Sequence, residues 1–208
     1  MSVAARALSL PADRFIRAAL KQCAHALRPK WFAALEEGKL GISDPRQLAF
    51  LLQQTTGKDA ARNARDLLAG DQIKNTSPTF AVLAGVLATQ GSAADLDWLV
   101  QEANRNHSQS TPILAALVES ARLRDLQPST RDLEKLLAAS IGLGRGERQR
   151  CALELAGRWQ ISSLLGPTMT VALAEGISPP QTRVAAIESL ERLPGDPGTR
   201  IRALSDRV

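Results

Sequence analysis

Apolar residues along this chain recur at intervals of three and four. Leu96, Leu99 and Val100, then Leu133, Leu136 and Leu137, follow the i, i+3, i+4 spacing that gathers side chains onto one stripe of an α-helix. Two of these stripes follow a helix-start signal. Ser92-Ala-Ala-Asp95 and Ser129-Thr-Arg-Asp132 each place a hydroxyl three residues before an acid, the form of a capping box.

The helix starts are periodic. Pro11, Pro45, Pro78, Pro112 and Pro179 lie 34, 33, 34 and 67 residues apart; the last gap is two periods, with its midpoint at Arg145-Gly146-Glu147. Asp44-Pro45, Ser77-Pro78 and Thr111-Pro112 read as an N-cap followed by a proline at the first helical position, and Ser178 precedes Pro179-Pro180. A cap side chain accepts from an orphan backbone N–H there, and proline sacrifices none. Second helices are expected from near Pro29, Lys58, Ser92, Ser129, Ser162 and Pro197, so each period of about 34 residues is a helix pair and six pairs fill nearly the whole chain. Such a pair cannot bury its own apolar face and must stack on its neighbours. The expected fold is therefore all-α: a right-handed α-α superhelix, a HEAT-like or armadillo-type solenoid forming a single domain over residues 1–208. Tetratricopeptide repeats require a recurring Tyr, and the chain has none. Thr111-Pro-Ile-Leu-Ala-Ala116 resembles the ankyrin signature once in six repeats.

Val3, Ala4, Ala7 and Leu8 read as the tail of a helix whose beginning is missing, so residues 1–9 are expected to end a preceding helix. Ile201, Ala203 and Leu204 close the chain equally abruptly. Capping repeats would be polar on their outer face. The expectation is a segment cut from a longer polypeptide, or ends covered by another chain.

Composition agrees with helices. Ala and Leu number 33 and 31 of 208 residues, Val and Ile together only 17, and aromatics seven, too few to furnish a sheet. The longest apolar run, Phe80–Ala88, is nine residues, about half of the ~18 that span a bilayer. The net charge of +5 is uneven: +5 over residues 1–70, −2 over 71–140 and +2 over 141–208. Binding to duplex nucleic acid grows with the number of phosphates met along one continuous basic surface, which the middle third interrupts.

Candidate chemistry is sparse. Arg14, Arg17, Lys21, His25 and Arg28, spaced 3, 4, 4 and 3, share one helix face opposite Ile16, Leu20, Cys23 and Leu27. This basic ridge is the candidate dock for an acidic partner or a neighbouring domain; a solvated face of an amphipathic helix has the same pattern. The two histidines, His25 and His107, form no metal-binding motif, and Cys23 and Cys151 read as buried small hydrophobes. Gly142-Leu-Gly144-Arg-Gly146 lacks the Lys-Ser/Thr of a phosphate loop and reads as a helix stop and turn. Asp97-Trp98 and Arg158-Trp159 would suit a HEAT-like DNA glycosylase, where aromatic and acidic residues meet a damaged base; core packing of the tryptophans accounts for them equally. No catalytic, cofactor-binding or metal-ligating residue is expected.

Residues 7–31 resemble a recurring segment of large haem-binding proteins from planctomycetes and related bacteria. The likeness lies in the Pro11-x-Asp13-Arg14-Phe15 opening, the Ala19-Leu20-Lys21-Gln22 core and the Leu27-x-Pro29-x-Trp31 exit, with Leu155-Ala-Gly-Arg-Trp159 further on. In that family a sugar-dehydrogenase-like propeller precedes HEAT-like helices and a cytochrome c module follows. The resemblance implies a non-catalytic scaffold or protein-interaction segment spacing those two modules, in a parent that is exported or periplasmic. It implies that Pro11 starts a helix, Phe15 and Leu20 face the core and Trp31 locks the second helix. Haem would belong elsewhere in that parent, since this chain holds no Cys-x-x-Cys-His. A free-standing adaptor and a HEAT-like DNA-processing enzyme are the alternatives.

Overall fold

The computed structural model describes residues 13–37, 39, 42, 44–55, 57–70, 77–143, 145–174 and 178–195. All regular structure among them is helical, in eleven α-helices and one 3₁₀ turn. The expectations for residues 1–9, Pro11, the helix near Pro197 and residues 201–204 lie outside the described residues. The chain divides into two compact units, Met1–Gly91 and Ser92–Val208.

In the first unit α1 (Arg14–Ala26) begins where the Asp13 carboxylate accepts hydrogen bonds from the Phe15 and Ile16 amides, at 2.8 and 2.9 Å. Pro29 sits in the first turn of α2 (Arg28–Glu36). Both expected Asp/Ser-Pro starts form: Asp44 caps α3 (Pro45–Gln53) and Ser77 caps α5 (Pro78–Gln90). Between them α4 (Lys58–Ala69) starts at Gly57, whose φ of +113° favours glycine. The turn before it is held from a distance: Gln90 accepts from the Gly57 amide at 3.0 Å and donates to the Thr55 carbonyl at 2.7 Å. Alanines 60, 61 and 64 of α4 are buried where it packs on α5. A core of Ala24, Trp31, Ile42, Leu48 and Leu51 ties α1 and α2 to α3.

The second unit holds α6 (Ala93–Arg105), α7 (Ser110–Leu123), α8 (Asp132–Leu143), α9 (Glu147–Arg158), the 3₁₀ turn Ser162–Leu164, α10 (Leu165–Leu173) and α11 (Pro180–Arg192). Helix α9 packs against α7, α8 and α11, while α8 also packs against α6 and α10. The stripes Leu96, Leu99, Val100 and Leu133, Leu136, Leu137 are buried as their spacing requires. Ser92 and Asp95 form the expected capping box.

Three expected starts differ. Helix α7 begins at Ser110, before Thr111-Pro112, because the buried Ser110 hydroxyl donates to the Ala103 carbonyl at 2.9 Å. Pro112 falls in the third helical position, where an N–H has no intrahelical partner to lose. The residue at the N-cap of α11 is Pro179 rather than Ser178. At Ser129 the partner of the hydroxyl is Asp97 of α6 instead of Asp132: its carboxylate accepts from the Ser129 amide and hydroxyl and the Thr130 amide, at 2.6–3.0 Å. Removing these bonds with Asp97→Ala is expected to cost about 1–3 kcal/mol, read as a lower urea midpoint with an unchanged slope. A midpoint equal to that of the wild type would show that the cap contributes nothing.

Burial corrects three further expectations. Cys151 is buried, but Cys23 is exposed, and Phe15 stands 68% exposed rather than facing the core. On helix α1 Ala24 is the one fully buried residue, Leu20 is only half-buried rather than in the core, and Ile16 and Leu27 are exposed as well. Burial, first, and the nearby Glu147 push the Cys151 thiol up to about 11. A maleimide at neutral pH is therefore expected to label Cys23 in the native protein and Cys151 only after denaturation, because the thiolate is the nucleophile. Equal labelling rates, measured by mass spectrometry, would contradict this difference in burial.

Candidate functional site

The basic ridge forms on α1. The helix, set by the Asp13 cap, carries Arg14, Arg17, Lys21 and His25 to exposed positions, while Arg28, one residue past the α1 C-cap, is half-buried. The Arg14 guanidinium carbon lies 4.7 Å from the centroid of the Phe15 ring, a cation–π geometry that orients the first member of the ridge. These side chains can hold carboxylates on an opposing surface, and nothing in their chemistry requires a metal or a cofactor. Among the described residues no group of three or more metal-ligating side chains comes together. None of their helices is long and apolar enough to cross a membrane.

Of the tryptophans, Trp31 is buried and donates to the Ala24 carbonyl at 2.8 Å, whereas Trp98 and Trp159 are half-buried. The Asp97 carboxylate beside Trp98 holds the turn before α8. Of the glycine cluster, Gly142 lies in the last turn of α8, which stops at Leu143, Gly144 lies outside the described residues, and Gly146, at φ +59°, is the N-cap of α9.

A second charged site escapes sequence reading. Arg122 of α7 donates from Nε and Nη2 to the two carboxylate oxygens of Glu154 on α9, both at 2.8 Å, and Arg158 donates to Glu154 Oε1 at 2.9 Å. This network borders a cleft of about 410 Å³ that Arg150, Glu188 and Arg192 also line. Burial by itself would raise the Glu154 carboxyl, but hydrogen bonds from Arg122 and Arg158, with their charges, outweigh it and hold the group below its ordinary value. The Glu154 bonds in turn raise Arg122. The available signal was spacing: Arg122 and Glu154 are 32 residues apart, close to one repeat period.

A carboxyl depressed in the folded state contributes stability that is full above its unfolded pKa and is lost as pH falls through the folded value. Glu154→Gln is expected to cost about 1–3 kcal/mol at pH 7, with the gap to the wild type narrowing below about pH 4. Urea titrations at both pH values check this. An unchanged gap at low pH would remove Glu154 as the titrating group.

A wider cavity of about 590 Å³ lies beside α8–α11, lined by Ile141, Arg145, Gln149, Pro167, Thr170 and Val171. Its buried Gln149 amide is already committed to the Ile141 carbonyl at 2.7 Å. Comparison with models of protein families, with curated proteins and with solved structures finds no match to this chain.

Proposed function

We propose that this chain is a non-catalytic helical-repeat scaffold, a HEAT-like array of about six helix pairs that presents the α1 ridge to a protein partner or a flanking domain. In a parent of the kind that residues 7–31 resemble, it would hold an oxidoreductase-like module and a cytochrome c module apart.

One observation carries the reading. Polar bonds tying one helix pair to the next join residues about one period apart: Asn104 to Asp132, Ser163 to Glu134, Arg122 to Glu154, Ser129 and Thr130 to Asp97, and Gln90 to Thr55 and Gly57, at separations of 28 to 35. Bonds at that separation are those of stacked repeats, in which each unit touches only its neighbours. The packing sequences α7–α9–α11 and α6–α8–α10 support the same arrangement. An array of this kind offers a long surface for partners without needing an enclosed catalytic pocket.

The test is binding to the modules encoded beside this segment in its reading frame, measured by calorimetry. Arg14→Glu, Arg17→Glu and Lys21→Glu together are expected to weaken binding roughly tenfold or more and to remove the salt dependence expected of the wild type. Unchanged affinity would reduce the ridge to solvated surface. A reading frame that encodes neither module would remove the spacer role.

A further inference from the structure

In the cavity of about 590 Å³ beside α8–α11, a buried side chain has only half of its hydrogen-bonding capacity in use. Gln149 is 9% exposed, and its Nε2 donates to the Ile141 carbonyl at 2.7 Å. Its Oε1 accepts nothing from the described residues. The Gln109 Oε1 is sealed in the core without a partner; the Gln149 oxygen is not sealed, and Gln149 lines the cavity. An acceptor so deeply placed is costly to leave unpaired. It calls for an N–H or O–H from whatever fills the space.

The same cavity is cationic. Arg145 lines it, is exposed, and makes no ion pair among the described residues. No Asp or Glu stands among the lining residues, and Glu147, in the first turn of α9, pairs with Arg150 at 3.8 Å. Arg145 and Gln149 lie on either side of the start of α9, where Gly146 offers no side-chain cap. The unpaired amides and the dipole of a helix N-terminus favour an anion. Opposite this polar end, Ile141, Pro167, Val171 and Pro179 supply an apolar wall. The volume falls within the ~300–1,000 Å³ usual for small-molecule sites.

We infer that this cavity binds a small organic carboxylate that carries an apolar body and a neutral O–H or N–H donor. Arg145 pairs with the carboxylate at the uncapped end of α9, the Gln149 Oε1 accepts from the donor, and the wall of Ile141, Pro167 and Val171 covers the apolar part. A ligand ammonium group is rejected, because no lining acid compensates its charge. Every lining residue belongs to the unit Ser92–Val208, so the site is complete within one unit and is independent of the scaffold reading.

Phenyllactate, with a carboxylate, a hydroxyl and a phenyl ring, is the probe, titrated into the isotope-labelled chain and followed by amide NMR spectra. Saturable shifts are expected at α8, α9 and α10 around the cavity. The methyl ester of the probe, which lacks the charge, is expected to bind roughly tenfold more weakly or worse, and hydrocinnamate, which lacks the hydroxyl, roughly threefold more weakly or worse. Arg145→Ala, at an exposed position, should abolish the preference for acid over ester. Gln149→Leu should abolish the preference for phenyllactate over hydrocinnamate; should that variant fail to fold, the comparison of the two acids in the wild type decides the role of the oxygen. No saturable shift at the solubility limit of the probe overturns the inference. Equal affinities for acid and ester or for the two acids, an undiminished acid preference in Arg145→Ala, and shifts confined to the α1 ridge do so as well.

Discussion

Trp31→Ala is expected to destabilise the unit Met1–Gly91 by about 3–5 kcal/mol. The indole is 2% exposed, lies edge-on to Phe32 with ring centroids 5.6 Å apart, and belongs to the core that Ala24, Ile42, Leu48 and Leu51 complete. Its Nε1 donates to the Ala24 carbonyl at 2.8 Å, so one side chain both fills the core and fastens the end of α1 to α2. Alanine leaves a cavity that helices held by so few other contacts must either collapse into or tolerate. Trp31→Phe separates the two roles: it retains most of the volume and loses the bond, for about 1 kcal/mol. Urea unfolding followed by circular dichroism measures both, and hydrogen exchange should show α1 losing protection first. A loss below about 1 kcal/mol for the alanine variant would mean that the core closes without the ring.

Gly157→Val is expected to cost about 3 kcal/mol in the unit Ser92–Val208, the upper end of overpacking. A Cβ at Gly157 would lie 2.8 Å from both the Cα and the Oγ of Ser189 and 3.1 Å from its carbonyl oxygen. The obstacle is backbone, so no side-chain rotation relieves it, and α9 must move away from α11. In an isolated helix a residue with a side chain would be favoured over glycine by several tenths of a kcal/mol or more, so the sign of the change distinguishes the two influences. Gly157→Ala should follow the same direction with a smaller loss. A variant as stable as the wild type would show that α9 and α11 separate at no cost.

Much of the helical layout was legible because its determinants are local. The Asp44-Pro45 and Ser77-Pro78 starts and the Ser92–Asp95 box each act within four residues of the chain, and all three form as read. The starts near Thr111 and Ser129 differ from their local signals where groups of other elements compete for the same hydroxyls, and the start at Ser178 shifts to Pro179. Ser110 is drawn to the Ala103 carbonyl, and Ser129 is held by Asp97 from another helix. Periodicity places Ile16, Leu20, Cys23 and Leu27 on one face of α1, but a face is buried only if something packs on it: Leu20 is half-buried, the other three are exposed, and Ala24 makes the buried contact. The ridge itself was readable from spacing, whereas the half-burial of Arg28 was not.

By itself, then, the order of residues determined that this chain is helical, where most helices start, and that a basic ridge lies along the first of them, because caps, prolines and helical periodicity operate over one or two turns. Only the tertiary structure decided which faces are covered, that Glu154 is shared by two arginines, and that Gly157 must lack a side chain. Each of these depends on a partner from another helix, and such partners sit far away along the chain: 32 residues between Arg122 and Glu154, and the same distance between Gly157 and Ser189.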